Sequence, residues 1–386
     1  MANSAPNYFR RLRRLIYLCL FLSLAWFCWL KPLAGLSGPT PTQLNDGWPI
    51  QGADQVGIAA GELNQLAESL FLEKLKVHSL LIERHGNLVA EYYQGGPDKS
   101  VYSLFPVRQN FNASEKHDIR SITKSVTSLL YGIALEQCKV PAVSEPLWPA
   151  FPEYQGLKTT ANQALRIEDI LQMASGLTWQ EGGLGLNDEL RLFWRRDLFD
   201  YVMSHPQANA PGQQFNYNGG NTVILAELIR RGTGQTIDEF ADINLFKPLQ
   251  ISDWEWRQDL HGRAMVFNGL RLRPRDLLKI GRLIQNHGVW QGRQIVPRAW
   301  LDKSMTGVYR TTVRDYRYGY QWWHGTADWH GQQLAWHAGF GNGGQRLYMV
   351  PALDLSVVTT AGAYDELPTA IRVNDLIQQV VNLVSN

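Results

Sequence analysis

The stretch DIRSITKSVTSLLYGIAL, residues 118–135, decides how the rest of the chain is read. Ile122, Val126, Leu129, Ile133 and Ala134 recur at helical spacing and predict an amphipathic helix that begins near Ser121. Ser121 and Lys124 fall three residues apart in its first turn, so their side chains share one face, beside the apolar stripe. An ammonium is poorly placed there, because the N-terminal end of a helix is partially positive and favours anions. A first-turn serine can simply cap and a first-turn lysine can simply be solvated, so the pair alone does not specify chemistry.

Upstream of this helix, composition changes abruptly. Arg10, Arg11, Arg13, Arg14 and Lys31 all precede the first acid, Asp46. With those five set aside from the 37 basic residues, 32 remain against 35 acids, so no broad basic face is available for nucleic acid. The arginines flank LIYLCLFLSLAWFCWL (15–30), a run between a signal-peptide core and a full membrane span in length. Residues 1–31 are therefore expected to be a basic cytoplasmic stub with a signal anchor or signal peptide, contacting membrane through residues 15–36. By the positive-inside rule the bulk of the chain faces the periplasm from the inner membrane, or is periplasmic or secreted if the segment is cleaved. Cys19 and Cys28 lie in the apolar run, which leaves Cys138 alone and excludes a disulfide framework. A Pro/Gly/Thr-rich tether is expected over 32–55, followed by one domain over 56–386.

Within that domain, GELNQLAESLFLEKL (61–75) predicts a helix. VHSLLIERHG and NLVAEYYQGG, residues 77–96, predict two strands joined at a His-Gly-Asn turn. Helical patterns dominate roughly 121–303. Strands return in QQLAWHAG, GQRLYMV and LDLSVVTTAG, and the helix PTAIRVNDLIQQVVNLV (368–384) closes the chain. Strands at both ends around a helical block imply an α+β fold, an antiparallel sheet flanked by helices with an inserted, mainly helical subdomain. Ser121 then sits at the junction, where small-molecule clefts concentrate.

Two further segments carry polar groups toward such a junction. In PGQQFNYNGGN (211–221), Tyr217 lies in a Gly/Asn-rich loop just ahead of a helix, where a phenol can relay a proton beside a lysine that lowers its pKa. A packed loop tyrosine is the ordinary alternative. In WHAGFGNGGQ (336–345), glycines permit close backbone approach to a ligand, and an N–H just after Gly339 can serve as an oxyanion donor. His337 can donate a hydrogen bond there, although a glycine-rich turn between strands reads the same way. Trp322, Trp323, Trp329 and Trp336 suggest an apolar acyl pocket or, equally, core.

Ser-x-x-Lys, then a tyrosine loop, then a His-x-Gly strand occur here in the order found in serine β-lactamases and penicillin-binding enzymes. From about Leu63 to the C-terminus the chain closely resembles the β-lactamase-related serine hydrolases: class C β-lactamases, D-alanyl-D-alanine carboxypeptidases, esterases and nylon-oligomer hydrolases. RIEDILQMASGLTW, LFKPLQI, NGLRLRPRDLLKIGRLIQNHGVWQGRQIVP, YGYQWW and VPALDLSVV add to that resemblance. It implies a β-lactamase/transpeptidase-like fold and catalytic roles for Ser121, Lys124, Tyr217 and His337. Ser121 is the implied nucleophile. Lys124, with a lowered pKa, is the implied base, or else holds Tyr217 as phenolate. The backbone N–H groups of Ser121 and Phe340 are the implied oxyanion hole, with Asn218, Gly339 and Trp336 as substrate contacts.

Two positions depart from the family pattern. Gly219 stands where Tyr-x-Asn or Tyr-x-Ser has a polar side chain, with Asn218 or Asn221 as substitutes. His337 stands where true β-lactamases usually carry lysine. Both point away from efficient β-lactam hydrolysis and toward a small ester or amide. The alternatives are a D-alanyl-D-alanine carboxypeptidase or weak β-lactamase, and a binding protein of the same fold without turnover. His-Glu-x-x-His, Gly-x-Ser-x-Gly and nucleotide-binding glycine loops are absent, so no cofactor and no catalytic metal is expected.

Overall fold

The computed structural model describes residues 5–72, 75–182 and 186–385. Residues 1–4 of the basic stub and 73–74 of the helix anticipated over 61–75 lie outside the described residues. Eight antiparallel strands form the main sheet. They are β1 (Val77–Arg84), β2 (Asn87–Tyr93), β3 (Tyr309–Arg310), β4 (Arg317–Gly319), β5 (Trp322–Trp329), β6 (Gln332–Gly341), β7 (Gln345–Val350) and β8 (Leu355–Ala361), in spatial order β3-β4-β5-β6-β7-β8-β1-β2. The His-Gly-Asn turn works because His85 and Gly86 both take positive φ, 54° and 79°, which matches the twist of a tight hairpin. Leu81 of β1 pairs with Val358 of β8, so the two ends of the domain meet in mid-sheet.

Helices cover both faces. Leu63 and Leu70 of α2 (Ala60–Leu72), with Leu376 and Val380 of the C-terminal helix Leu367–Asn382, pack on one side against Leu80, Ile82 and Val357. On the other, α3 (Ile122–Glu136) and α5 (Pro274–Gln285) pack against the sheet at Leu81, Leu347 and Val358, and α4 (Gly219–Thr233) packs on α3. Double coverage explains why β1 is buried at every position, its polar His78, Ser79, Glu83 and Arg84 included. The strand β5 was not legible. Its tryptophans surround Gly325 and Thr326 without clean alternation, and Gly325 is needed because a Cβ there would lie 2.2 Å from the Trp336 ring.

The helix α3 differs from the amphipathic expectation. Every residue from Ile122 to Ala134 is buried, the polar ones included. Ser125 donates to the Gln321 carbonyl at 2.7 Å and Thr127 to the Val266 carbonyl at 3.2 Å, so hydroxyls on the presumed polar face are spent on neighbouring segments.

Residues 32–55 are not a loose tether. Ser37 bridges Tyr93 and Ile50 bridges Leu88, which lays the segment along β2, with Trp48 buried. Arg275 of α5 clamps it. Its guanidinium donates to Asp46 at 2.9 Å, to the Thr42 carbonyl at 2.6 Å and to both oxygens of Glu91 at 2.8 and 2.6 Å. At the N-terminus, helix α1 (Ala5–Ala25) continues into a π-helical turn over Trp26–Leu30. Leu12–Leu30 is long and apolar enough to cross a membrane.

Candidate active site

Ser121 is placed by the segment ahead of it. The short strand His117–Asp118 pairs with Leu270–Leu272, and Ile119 N–H donates to the Leu270 carbonyl at 3.0 Å. Arg120 then turns the chain at φ 52°, a conformation that is uncommon for a residue with a side chain. The Tyr364 ring lies 4.0 Å from its guanidinium carbon, and Asp118 lies 3.6 Å from its Nε. Ser121 follows as the N-cap of α3, yet its side chain makes no capping hydrogen bond. The capping alternative therefore does not describe this serine. Its hydroxyl instead accepts from Lys124 Nζ at 3.1 Å.

Lys124 is fully buried and reaches four acceptors with three N–H groups. They are Ser121 Oγ, the Phe267 carbonyl at 3.0 Å, Glu181 at 2.8 Å and Glu189 at 3.2 Å. Burial pulls its pKa down, but the two carboxylates outweigh burial and raise it above the ordinary lysine value. The lowered pKa expected for Lys124 is thus corrected, and the ammonium is its resting form. The two carboxylates compete. Glu189, half-buried beside Glu181, is pushed up to about 8 by desolvation and by that neighbour, whereas Glu181 is lowered by Lys124 and by the Gly219 N–H at 2.7 Å.

Tyr217 joins the same cluster. Its loop is pinned by Asn216 N–H to the Met173 carbonyl at 2.8 Å and Asn216 Nδ2 to the Leu177 carbonyl at 3.1 Å. The Tyr217 ring centroid lies 4.9 Å from Lys124 Nζ, which places the phenol beside the Ser121–Lys124 pair. Burial raises its pKa. Lys124 and Ser121 pull it down, but burial and the glutamates prevail, so the phenol is neutral. The expectation that lysine would lower it holds for the pair and fails for the cluster.

Gly219 now has a physical reason. A Cβ there would lie 3.2 Å from Glu189 Oε2 and 3.3 Å from Glu181 Oε2, so the carboxylates occupy the space a polar third residue of the motif would need. Asn218 does not replace it. Asn218 is fully buried, and its side chain caps α4 by accepting from Asn221 N–H at 3.3 Å. Asn221 is also buried, with its Nδ2 turned to Met173.

The strand β6 supplies the opposite wall. A Cβ on Gly339 would lie 2.9 Å from Ile122, and one on Gly341 would lie 2.4 Å from the Ile119 carbonyl. Both glycines thus admit α3 and its lead-in against the strand. Pairing with β5 stops at Ala338 opposite Trp323, which leaves that edge of β6 without a ladder partner beside Phe340. His337 meets His324 at 2.8 Å between their Nδ1 atoms, and burial lowers its pKa to about 4. It is a neutral, paired imidazole. Trp336 is overturned as a substrate contact. It is buried, its Nε1 donates to the Thr326 carbonyl at 3.0 Å, and it packs on Tyr316 and Tyr348 on the sheet face opposite Gly339.

Glu181 and Glu189 were missed in the sequence. They sit eight residues apart on a loop and a short helix, and only the missing polar group at Gly219 hinted that something else approaches Lys124.

A family model described as Beta-lactamase matches residues 78–382. A 6-aminohexanoate-dimer hydrolase of Paenarthrobacter ureafaciens is 22% identical over 351 residues, covering 85% of this chain and 82% of its own. Among solved structures, a penicillin-binding protein homolog from Caulobacter crescentus superposes with TM-score 0.67 at 14% identity, over 90% of this chain and all of its own. A class C beta-lactamase superposes with TM-score 0.64 at 14% identity, over 84% of this chain and 96% of its own.

Proposed function

This chain belongs to the Beta-lactamase family of serine hydrolases, and we propose that it cleaves a small amide or ester through an acyl-enzyme on Ser121. The observation that carries the proposal is the uncapped Ser121 hydroxyl, 3.1 Å from the Nζ of a buried lysine that itself lies 4.9 Å from the Tyr217 ring centroid. A serine hydroxyl needs its proton removed as it attacks. Lys124 is already charged, so Tyr217 is the group that moves protons. As Ser121 Oγ bonds to the acyl carbon, its proton passes to the Tyr217 oxygen, and the Tyr217 proton passes to the leaving amine or alcohol. Lys124 remains an ammonium and stabilises the negative charge shared by the two oxygens. The backbone N–H groups of Ser121 and Phe340 hold the carbonyl oxygen. Water then enters by the same relay in reverse, releasing the acid and restoring Ser121.

Amide cleavage is favoured by the relative named for hydrolysing a 6-aminohexanoate dimer, itself a linear amide. His337 offers such a substrate a hydrogen bond but no charge, so the carboxylate of a penicillin gains little from it. The apolar helix and the arginines before it support attachment to the inner membrane, with the catalytic domain on the periplasmic side.

Labelling the full-length protein with a fluorophosphonate tests this. One adduct per chain is expected, mapped to Ser121 and lost in Ser121→Ala. An adduct elsewhere, or none in folded protein, overturns it.

A further inference from the structure

A buried polar cluster beside the turn into Ser121 takes no part in the mechanism. His78 on β1, Asp98 on the short strand Gly96–Asp98, and His117 four residues ahead of Ser121 converge from three separate segments. All three are buried, and their ligand-type atoms lie within 4.8 Å of one another. We propose that His78, Asp98 and His117 bind one divalent cation of the zinc class, as a structural ion that fixes the turn into Ser121.

Spacing supports this. His78 Nδ1 is 2.9 Å from His117 Nε2, which is 3.6 Å from Asp98 Oδ1. Tetrahedral zinc with bonds of about 2.0–2.1 Å holds neighbouring ligand atoms roughly 3.3 Å apart, so these contacts bracket the required distance. The outer contacts also fit. His117 Nδ1 lies 2.9 Å from the Asp118 carbonyl and so carries the proton, which turns the bare Nε2 into the cluster. Tyr364 O–H donates to Asp98 at 2.6 Å. An imidazole oriented by a backbone carbonyl and a carboxylate oriented by a hydroxyl are what metal ligands use to stay aligned.

Tautomer accounting is the independent observation. With its proton on Nδ1, His78 donates to His117, but Nε2 is then a buried acceptor without a partner. With its proton on Nε2 and His117 neutral, two bare nitrogens face each other at 2.9 Å. A cation between them removes that opposition. Through Tyr364, whose ring carries Arg120, the ion would stiffen the strained residue immediately before Ser121.

The test uses the full-length protein in detergent, stripped with a chelator and titrated with zinc and with cobalt. One equivalent is expected per chain, with cobalt absorption bands of a nitrogen/oxygen site and a melting temperature several degrees higher on loading. His117→Gln should weaken zinc binding at least 100-fold with an unchanged circular dichroism spectrum. If that variant does not fold, Tyr364→Phe, which removes only the outer bond to Asp98, should weaken binding about 10-fold. Absence of stoichiometric binding by the stripped wild type, or an affinity unchanged in the folded variants, overturns the proposal.

Discussion

Two buried sites in this molecule contain the same charges, one cation between two carboxylates, and behave differently. Arg275 between Asp46 and Glu91 makes four hydrogen bonds to fixed acceptors from its planar fork. Each bond is short, and the cation cannot lose its proton. Lys124 between Glu181 and Glu189 has three donors for four acceptors, one of them Ser121. One acceptor is always short of a proton, and desolvation together with the neighbouring Glu181 carboxylate pushes Glu189 up to about 8. The guanidinium makes a clamp that anchors residues 42–46 to the domain. The ammonium makes a site with a labile proton beside a hydroxyl. Position in the fold does not separate them; the donor count does.

Removing each cation should break the comparison most sharply. Lys124→Met is expected to reduce turnover at least about 1,000-fold, read as kcat/KM on a short ester, because the charge opposite the reacting oxygens is gone. Arg275→Met should leave turnover per folded molecule near wild type but cost about 3–5 kcal/mol in urea unfolding, the penalty of two buried carboxylates left without a partner. If Arg275→Met instead lost activity without losing stability, the clamp would have to be reassigned to the site.

Changing the anions gives smaller effects. Glu181→Gln removes the closest carboxylate to Lys124 and should lower kcat/KM by about tenfold at neutral pH, with KM little changed. Glu189→Gln acts on stability through pH. Glutamate in the unfolded chain releases its proton near 4.5, whereas folded Glu189 keeps it to about 8. Between those values the folded chain binds more protons, so wild-type stability falls as pH rises through that window. Glutamine is spared this loss. Its melting temperature should match wild type near pH 5 and exceed it by a few degrees above pH 8. Equal melting curves at both pH values would mean that Glu189 titrates normally.

What the sequence made legible was local. The Ser121–Lys124 turn, the His-Gly-Asn hairpin, the strands of 332–361 and the tyrosine loop all follow from periodicity or turn chemistry within a few residues. The partners of Lys124 do not, because Glu181 and Glu189 reach it only once a loop and α4 have packed. Strand parity would have removed Trp336 from the site, since Gly339 and Trp336 are three residues apart and must face opposite ways. Asn218 precedes a helix in a sequence rich in Asn and Gly, which is an N-cap signature, and that is the role it plays. Residues 32–55 suggested a tether by composition, and what binds them down is distant in sequence, β2 at Ser37 and Ile50 and Arg275 at Thr42 and Asp46.

The most direct measurement is the rate of Ser121 phosphonylation as a function of pH, in wild type and in Glu189→Gln. A charged Lys124 stabilises the reacting oxygens best while Glu189 is neutral. The wild-type rate should therefore fall several-fold as pH rises through about 8, and the glutamine variant should stay fast and flat across that range. A falling limb of the same midpoint in both proteins would contradict the account, because the titrating group would then lie outside the Lys124 cluster.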